Sequence, residues 1–149
     1  MKNLLISACL LGLCCRYDGQ SRPMAGLSEL QKRYHLIPVC PEQLGGLPTP
    51  RQPSERQGSR VVMRSGEDVT AQYLRGAQEA KKLAELFGCE TAVLKARSPS
   101  CGSGRIYDGT FTGTLTDGFG LTAELLLRSG VRVISEEEIA SLLEEKTKE

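Results

Sequence analysis

The sequence predicts an α/β fold, with about four strands in a mainly parallel sheet and helices on both of its faces. Two observations carry this expectation. Short uninterrupted apolar runs, each the length of a strand buried on both faces, alternate along the chain with amphipathic helical patterns. The chain has 149 residues, 40% hydrophobic and 25% charged, which is the size of one compact domain with one real core. Residues 1–149 are therefore expected to form a single domain.

The strand runs are residues 3–8 (NLLISA), 35–39 (HLIPV), 91–96 (TAVLKA) and 131–134 (VRVI). The first lies within MKNLLISACLLGLCC, which imitates a secretory leader. It is followed by Arg16, Tyr17, Asp18 and Gly19, a turn signal rather than a small-residue cleavage site, and it falls short of the ~20 residues that cross a bilayer. It reads as a buried strand of a cytoplasmic protein with no membrane partner. A short helix is expected over residues 27–33. Residues 45–59 (GGLPTPRQPSERQGS) hold three prolines and three glycines and are too long for an ordinary connection, so they read as a lid or a mobile loop. Residues 60–64 (RVVMR) suit a short strand or ribbon. The longest helix is expected over residues 69–87, with Val69, Tyr73, Ala77, Ala80, Ala84 and Phe87 on one stripe, Asp68 as its N-cap and Gly88 ending it. Another covers residues 121–129 and closes at Gly130. The last starts at the capping box of Ser135, Glu136, Glu137 and Glu138 and runs to about Glu145. The tripeptide Tyr17-Asp18-Gly19 recurs as Tyr107-Asp108-Gly109, which reads as two Asp-Gly turns.

Charge excludes some functions and cysteine content raises others. Lys and Arg number 19 against 18 Asp and Glu, so no global field favours nucleic acid, and no stable nucleic-acid binding is expected. Six cysteines, at positions 9, 14, 15, 40, 89 and 101, are many for a cytoplasmic chain with an adequate core. Disulfide frameworks belong to small secreted domains, so metal or thiol chemistry becomes the live alternative. The chain has no Cys-x-x-Cys pair, so a metal site must be assembled from distant residues.

Placement shows how. Cys9 follows the first strand, Cys40 follows the second, and Cys101 lies in the loop after the third. Open parallel sheets bind ligands beyond the carboxyl ends of their strands, near the point where strand order reverses. Three thiols would meet there. Soft sulfur donors select zinc, copper(I) or iron–sulfur clusters. The only histidine, His35, starts the second strand and so falls at the opposite edge; Cys14 or Cys15 could complete a four-ligand zinc site instead. Buried packing is the competing role for any one cysteine, and Cys89, after the helix-ending Gly88, reads as structural.

Four stretches together are more specific than any of them alone: SACLLG around Cys9, CRYDG ending at Gly19, VCPEQLGG around Cys40, and KARSPSCG around Cys101. In order and spacing, over nearly the whole chain, they resemble a bacterial family that includes the thiouracil desulfurases. The resemblance implies a [4Fe-4S] cluster held by Cys9, Cys40 and Cys101, with the fourth iron open to the sulfur of a thiolated pyrimidine. Residues matching the family's acidic and serine catalytic positions are Glu42 and Ser98. Related domains fused to another module act on thiolated tRNA. This chain lacks room for that module, so a small free substrate is expected, with the iron–sulfur assembly machinery as the implied partner.

On this reading the open iron polarises the thiocarbonyl, water attacks the ring carbon, and the reaction is hydrolytic. Glu42 would activate that water or move a proton to the leaving group, its alternative role being to cap the next turn. Ser98 would hydrogen-bond the pyrimidine or steady the water, its alternative being a Ser-Pro turn. Ser100, Gly102 and Asp18 are the expected substrate contacts. The Ser/Gly run through Gly104 could form an anion nest, and Arg51, Arg56 and Arg60 would suit a phosphorylated substrate if their loop folds over the site. Two other classes compete: a zinc-binding or thiol redox-sensing module without catalysis, and a phosphate-ligand domain in which the thiols do not matter.

Overall fold

In the computed structural model, residues 1–144 are described; the expected helix end at Glu145 lies outside them. The strands are β1 (Lys2–Ser7), β2 (Tyr34–Val39), β3 (Ser54–Gln57), β4 (Arg60–Met63), β5 (Thr91–Leu94), β6 (Ser103–Tyr107), β7 (Leu115–Phe119) and β8 (Arg132–Ser135). The helices are α1 (Leu27–Gln31), α2 (Pro41–Leu44), α3 (Thr70–Leu86), α4 (Leu121–Arg128) and α5 (Ala140–Glu144), with short 3₁₀ turns at Ala8–Leu11 and Glu136–Glu138.

β2, β1, β5 and β8 form a four-stranded, all-parallel sheet in that order. The chain steps from β1 outward to β2 and then crosses to β5 on the other side of β1, so the strand order reverses between β1 and β5. Successive side chains of β1 explain why the sheet is covered twice. Leu4 and Ile6 pack with Val93, Ile134, Leu30 and Leu142, the last two from α1 and α5. Leu5, facing the other way, packs with Ala80, Ala84, Ala123 and Leu126 of α3 and α4. Leu4, Leu5 and Ile6 are wholly buried, and burial of such side chains contributes roughly 1.5–3 kcal/mol each.

α3 begins and ends close to expectation. The N-cap is Val69 rather than Asp68, whose carboxylate accepts the Thr70 N–H at 2.8 Å from one residue further out, and Gly88 follows the helix with φ 61°. The buried stripe runs Tyr73, Gly76, Ala77, Ala80 and Ala84; Phe87 lies beyond the helix and is half exposed, because the turn at Gly88 carries it off the face. The small residues on that stripe allow a close approach. A Cβ on Gly76 would run into the Pro41 carbonyl, and one on Gly45 into the Gln72 carbonyl. These two glycines seat α2, and with it Cys40 and Glu42, directly against α3.

The proline-rich segment is less of an open loop than its composition suggests. Its second half is β3, paired antiparallel with β4, and its middle is tied down by Arg51. β6 and β7 form a second antiparallel ribbon over the carboxyl edge of the main sheet. Among the described residues no helix is long and apolar enough to cross a membrane.

Candidate functional site

A cavity of about 330 Å³ opens at the carboxyl edge of the sheet, where the strand order reverses, and Cys9, Cys40 and Cys101 all line it. Each thiol arrives on its own element. Cys9 sits in the 3₁₀ turn that follows β1, Cys40 is the residue before α2, and Cys101 closes the turn after β5.

Hydrogen bonds fix the third thiol. The Ser98 hydroxyl accepts from the N–H groups of Ser100 and Cys101, each at 3.0 Å. Ser7, buried at the end of β1, donates its hydroxyl to the Cys101 sulfur at 3.3 Å and accepts the Lys95 N–H at 2.9 Å. Ser98 therefore holds the turn that carries Cys101 while standing on the cavity wall itself, with no acceptor recorded for its own proton among the described residues.

Glu42 is gripped from two sides through one oxygen. Tyr73 donates its hydroxyl to Oε1 at 2.8 Å, and Arg51 Nε donates to the same atom at 3.0 Å. Arg51 also donates to the carbonyls of Cys15 and Pro48, at 3.0 and 3.1 Å, and to the Thr49 hydroxyl at 3.0 Å. Among the described residues Oε2 receives no hydrogen bond. Burial, followed by the nearby Glu42 charge, pushes the Tyr73 hydroxyl well above its ordinary value, so it stays a donor.

The thiols sense one another. Burial pushes Cys9 up to about 11, with the neighbouring Cys40 adding to the rise and Lys95 and Arg16 opposing it. Cys101 is raised further by complete burial, partly offset by the Ser7 hydrogen bond and reinforced by Cys9, Glu42 and Cys40. Cys15 is raised by burial and by contact with Cys40. It lines the cavity, and the Cys40 sulfur points at its carbonyl, 3.8 Å away. All six cysteines are free; Cys14 is exposed, and Cys89 is buried away from this edge. Among the described residues no three His, Cys, Asp or Glu side chains gather tightly enough for one metal ion. The thiols that line the cavity are soft donors, of the chemistry that takes zinc, copper(I) or iron–sulfur clusters.

Several expected contacts lie elsewhere. The Ser100 hydroxyl is turned away onto Thr122 at 2.8 Å and is buried. Gly102 is packed between the Ile106 side chain and the Ser98 carbonyl, where a Cβ would not fit. Asp18 is exposed and accepts the Gln20 N–H of its own turn. None of the three lines the cavity. The anion nest does not form, because the N–H groups of Ser100, Cys101 and Gly102 are all taken by Ser98. The loop arginines are also engaged: Arg51 by Glu42, Arg56 by the Gly58 and Phe119 carbonyls and Glu124, and Arg60 by Asp68.

Other groups on the wall were hidden in plain patterns. The two Tyr-Asp-Gly repeats are indeed turns, with Asp108 accepting the Thr110 N–H as Asp18 accepts that of Gln20, yet both of their tyrosines face the cavity. Buried Glu55 pins the second turn by accepting from Gly109 and Phe111, at 2.9 and 3.1 Å. The capping box is present as expected, and it sets Glu136 to accept from Ala96 N–H and to pair with Lys95 at 2.9 Å.

A chain described as the [4Fe-4S]-dependent thiouracil desulfidase TudS superposes with a TM-score of 0.91, at 49% identity over 95% of each chain. An uncharacterized protein of Bacillus subtilis (strain 168), YbbK, is 41% identical over 150 residues, which is 94% of this chain and 99% of the relative. The family described as 2-thiouracil desulfurase matches residues 4–138, which include every thiol, carboxylate and hydroxyl of the cavity described above; the chain belongs to that family.

Proposed function

We propose that the protein is an iron–sulfur-dependent desulfurase that replaces the sulfur of a small thiolated pyrimidine, such as 2-thiouracil, by oxygen and releases sulfide. The observation that carries this reading is the placement of three thiols, Cys9, Cys40 and Cys101, around one cavity that also holds Glu42 and Ser98. Family membership and the [4Fe-4S] dependence named for TudS support it.

Cys9, Cys40 and Cys101 would hold the [4Fe-4S] cluster, which when bound supplies a Lewis-acidic iron with a free coordination position for the thiocarbonyl sulfur. The remaining work falls to the chain. Glu42 accepts a proton from the attacking water at Oε2, and Arg51 and Tyr73, by occupying Oε1, hold the carboxylate in one orientation. Ser98, already accepting two N–H bonds, donates its proton toward the ligand. The sum is a thiocarbonyl plus water giving a carbonyl plus hydrogen sulfide, with no change of oxidation state. Free thiols throughout suit a reducing cytoplasm, where iron–sulfur assembly proteins would load the site. We take residues 1–149 to act as one domain.

The test is anaerobic turnover of 2-thiouracil by the reconstituted protein, with uracil and sulfide measured together. Equal amounts of both are expected, and Glu42→Gln should slow the reaction by about 100-fold or more. Reconstituted protein that forms neither product would overturn the reading.

A further inference from the structure

We infer that Phe111 is the face against which the pyrimidine ring stacks, and that the buried carboxylate of Glu55 is the positioning group that holds it there. The inference rests on the desulfurase reading and deepens it, because it names what the cavity offers to a flat ring.

Phe111 lies in the loop between β6 and β7, lines the cavity and is half-buried, so part of its surface is open to whatever enters. Its backbone is in the left-handed region, at φ 58°, which a bulky side chain seldom adopts and where glycine or asparagine would sit at lower cost. A strained residue persists only where its surroundings impose the conformation. Here they do. Glu55, buried in β3, accepts from the N–H groups of Gly109 and Phe111 through one oxygen, at 2.9 and 3.1 Å. Gln57 donates to the Gly109 carbonyl at 2.8 Å, and Asp108 accepts the Thr110 N–H at 3.0 Å. Burying a carboxylate costs stability and so does the φ of Phe111, yet both are found in one turn.

The strain does not serve the core. Among the described residues the Phe111 ring joins none of the three hydrophobic clusters. Its neighbour is another cavity residue, Arg64, whose guanidinium stands 5.9 Å from the ring centre. The other non-glycine residue with positive φ, Arg97 at 70°, pairs with Glu137 at 2.9 Å. Tyr17 and Tyr107 also line the cavity, but from ordinary backbone conformations. Phe111 is thus the aromatic ring that the fold keeps on the cavity wall against its backbone preference. A phenyl ring carries no hydrogen-bond donor and no charge, so what it selects is a flat conjugated surface. Thiouracil and uracil have one. Dihydrouracil does not: saturation puckers its ring while leaving both carbonyls and both N–H groups in place.

The test compares uracil with dihydrouracil as ligands of reconstituted wild-type, Phe111→Asn, Phe111→Tyr and Glu55→Gln proteins, by anaerobic titration calorimetry, with iron content and the urea midpoint recorded for each. Wild type should prefer uracil by about tenfold or more. Phe111→Asn should weaken uracil by about 10- to 100-fold and bring the preference within about threefold, while its urea midpoint stays at or above that of wild type, since asparagine tolerates the φ. Phe111→Tyr should keep the preference. Glu55→Gln, which retains an accepting oxygen but loses the charge, should weaken uracil by about three- to tenfold on its own and by less than about twofold when added to Phe111→Asn, because Glu55 acts through Phe111. Iron content should not change. An unchanged preference in Phe111→Asn, a fall in its urea midpoint with uracil binding intact, or an equal effect of Glu55→Gln in both backgrounds would overturn the assignment. A wild type that removes sulfur from thiouracil but shows one of these results leaves the desulfurase reading standing; a wild type that neither binds uracil nor removes sulfur overturns both.

Discussion

Replacing Arg51 by methionine should destabilise the fold and loosen Glu42 at once. The Arg51 side chain is 3% exposed and that of Glu42 is 18% exposed, so their ion pair is largely shielded from water. Methionine retains the packing of the stem but removes four hydrogen bonds, to Glu42, Thr49 and the carbonyls of Cys15 and Pro48. Removing one partner of a buried pair costs about 3–5 kcal/mol. Glu42 keeps the Tyr73 hydroxyl and some access to water, so the lower end applies, about 3 kcal/mol. For a domain of this size that is a fall in Tm of roughly 6–12 °C. Urea unfolding of wild type, Arg51→Met, Glu42→Gln and the double variant separates the pair from the rest. A coupling energy of about 1–2 kcal/mol is expected, because the two groups share one contact. A Tm within about 2 °C of wild type, or strictly additive losses, would refute the claim that this pair anchors the cavity wall.

Gly76→Ala should be severely destabilising, by about 3 kcal/mol or more, since its Cβ meets the Pro41 backbone rather than a flexible side chain; a wild-type urea midpoint would contradict this. Ser7→Ala leaves the half-buried Lys95 N–H without its acceptor and the Cys101 sulfur without its donor, so a loss of about 1–3 kcal/mol is expected by the same measurement. In metal-free protein, alkylation followed by peptide mass mapping should mark exposed Cys14 first and Cys9 late. Burial pushes the Cys9 thiol up to about 11, which keeps it neutral at pH 8, so its labelling rate should rise about tenfold per pH unit until that value is approached. A Cys9 rate independent of pH between 8 and 10 would contradict the burial argument.

The parts of the fold that follow from periodicity were legible in the residues. The four sheet strands are apolar because both of their faces are covered, and α3 and α4 carry stripes that only one buried face can explain. The two ribbons were harder. β6 buries only Ile106 and β7 buries no residue, so neither leaves an apolar run, and β3 starts with two buried polar residues, Ser54 and Glu55, of which Glu55 pins the turn at Gly109. The convergence of Cys9, Cys40 and Cys101 was visible because strand ends in a parallel sheet share an edge. The hydroxyl of Tyr73 was not, since a tyrosine on a core stripe looks the same whether or not its tip reaches a carboxylate. Arg51 suits a phosphorylated substrate only if its loop folds over the site, and nothing in a proline-rich stretch announces that it folds back on Glu42. Ser100 shows the opposite: a serine between proline and cysteine looks available, yet the turn points its hydroxyl at Thr122.

The central claim is that three thiols around one cavity hold the group on which desulfuration depends. Anaerobic reconstitution with iron and sulfide, followed by iron and sulfide quantitation on wild type and on single Cys→Ser variants at positions 9, 14, 40, 89 and 101, tests it directly. The account predicts about four irons per chain in wild type and in the Cys14 and Cys89 variants, with loss of bound iron in the Cys9, Cys40 and Cys101 variants. Full iron retention in any of those three, or no iron in wild type, would contradict it.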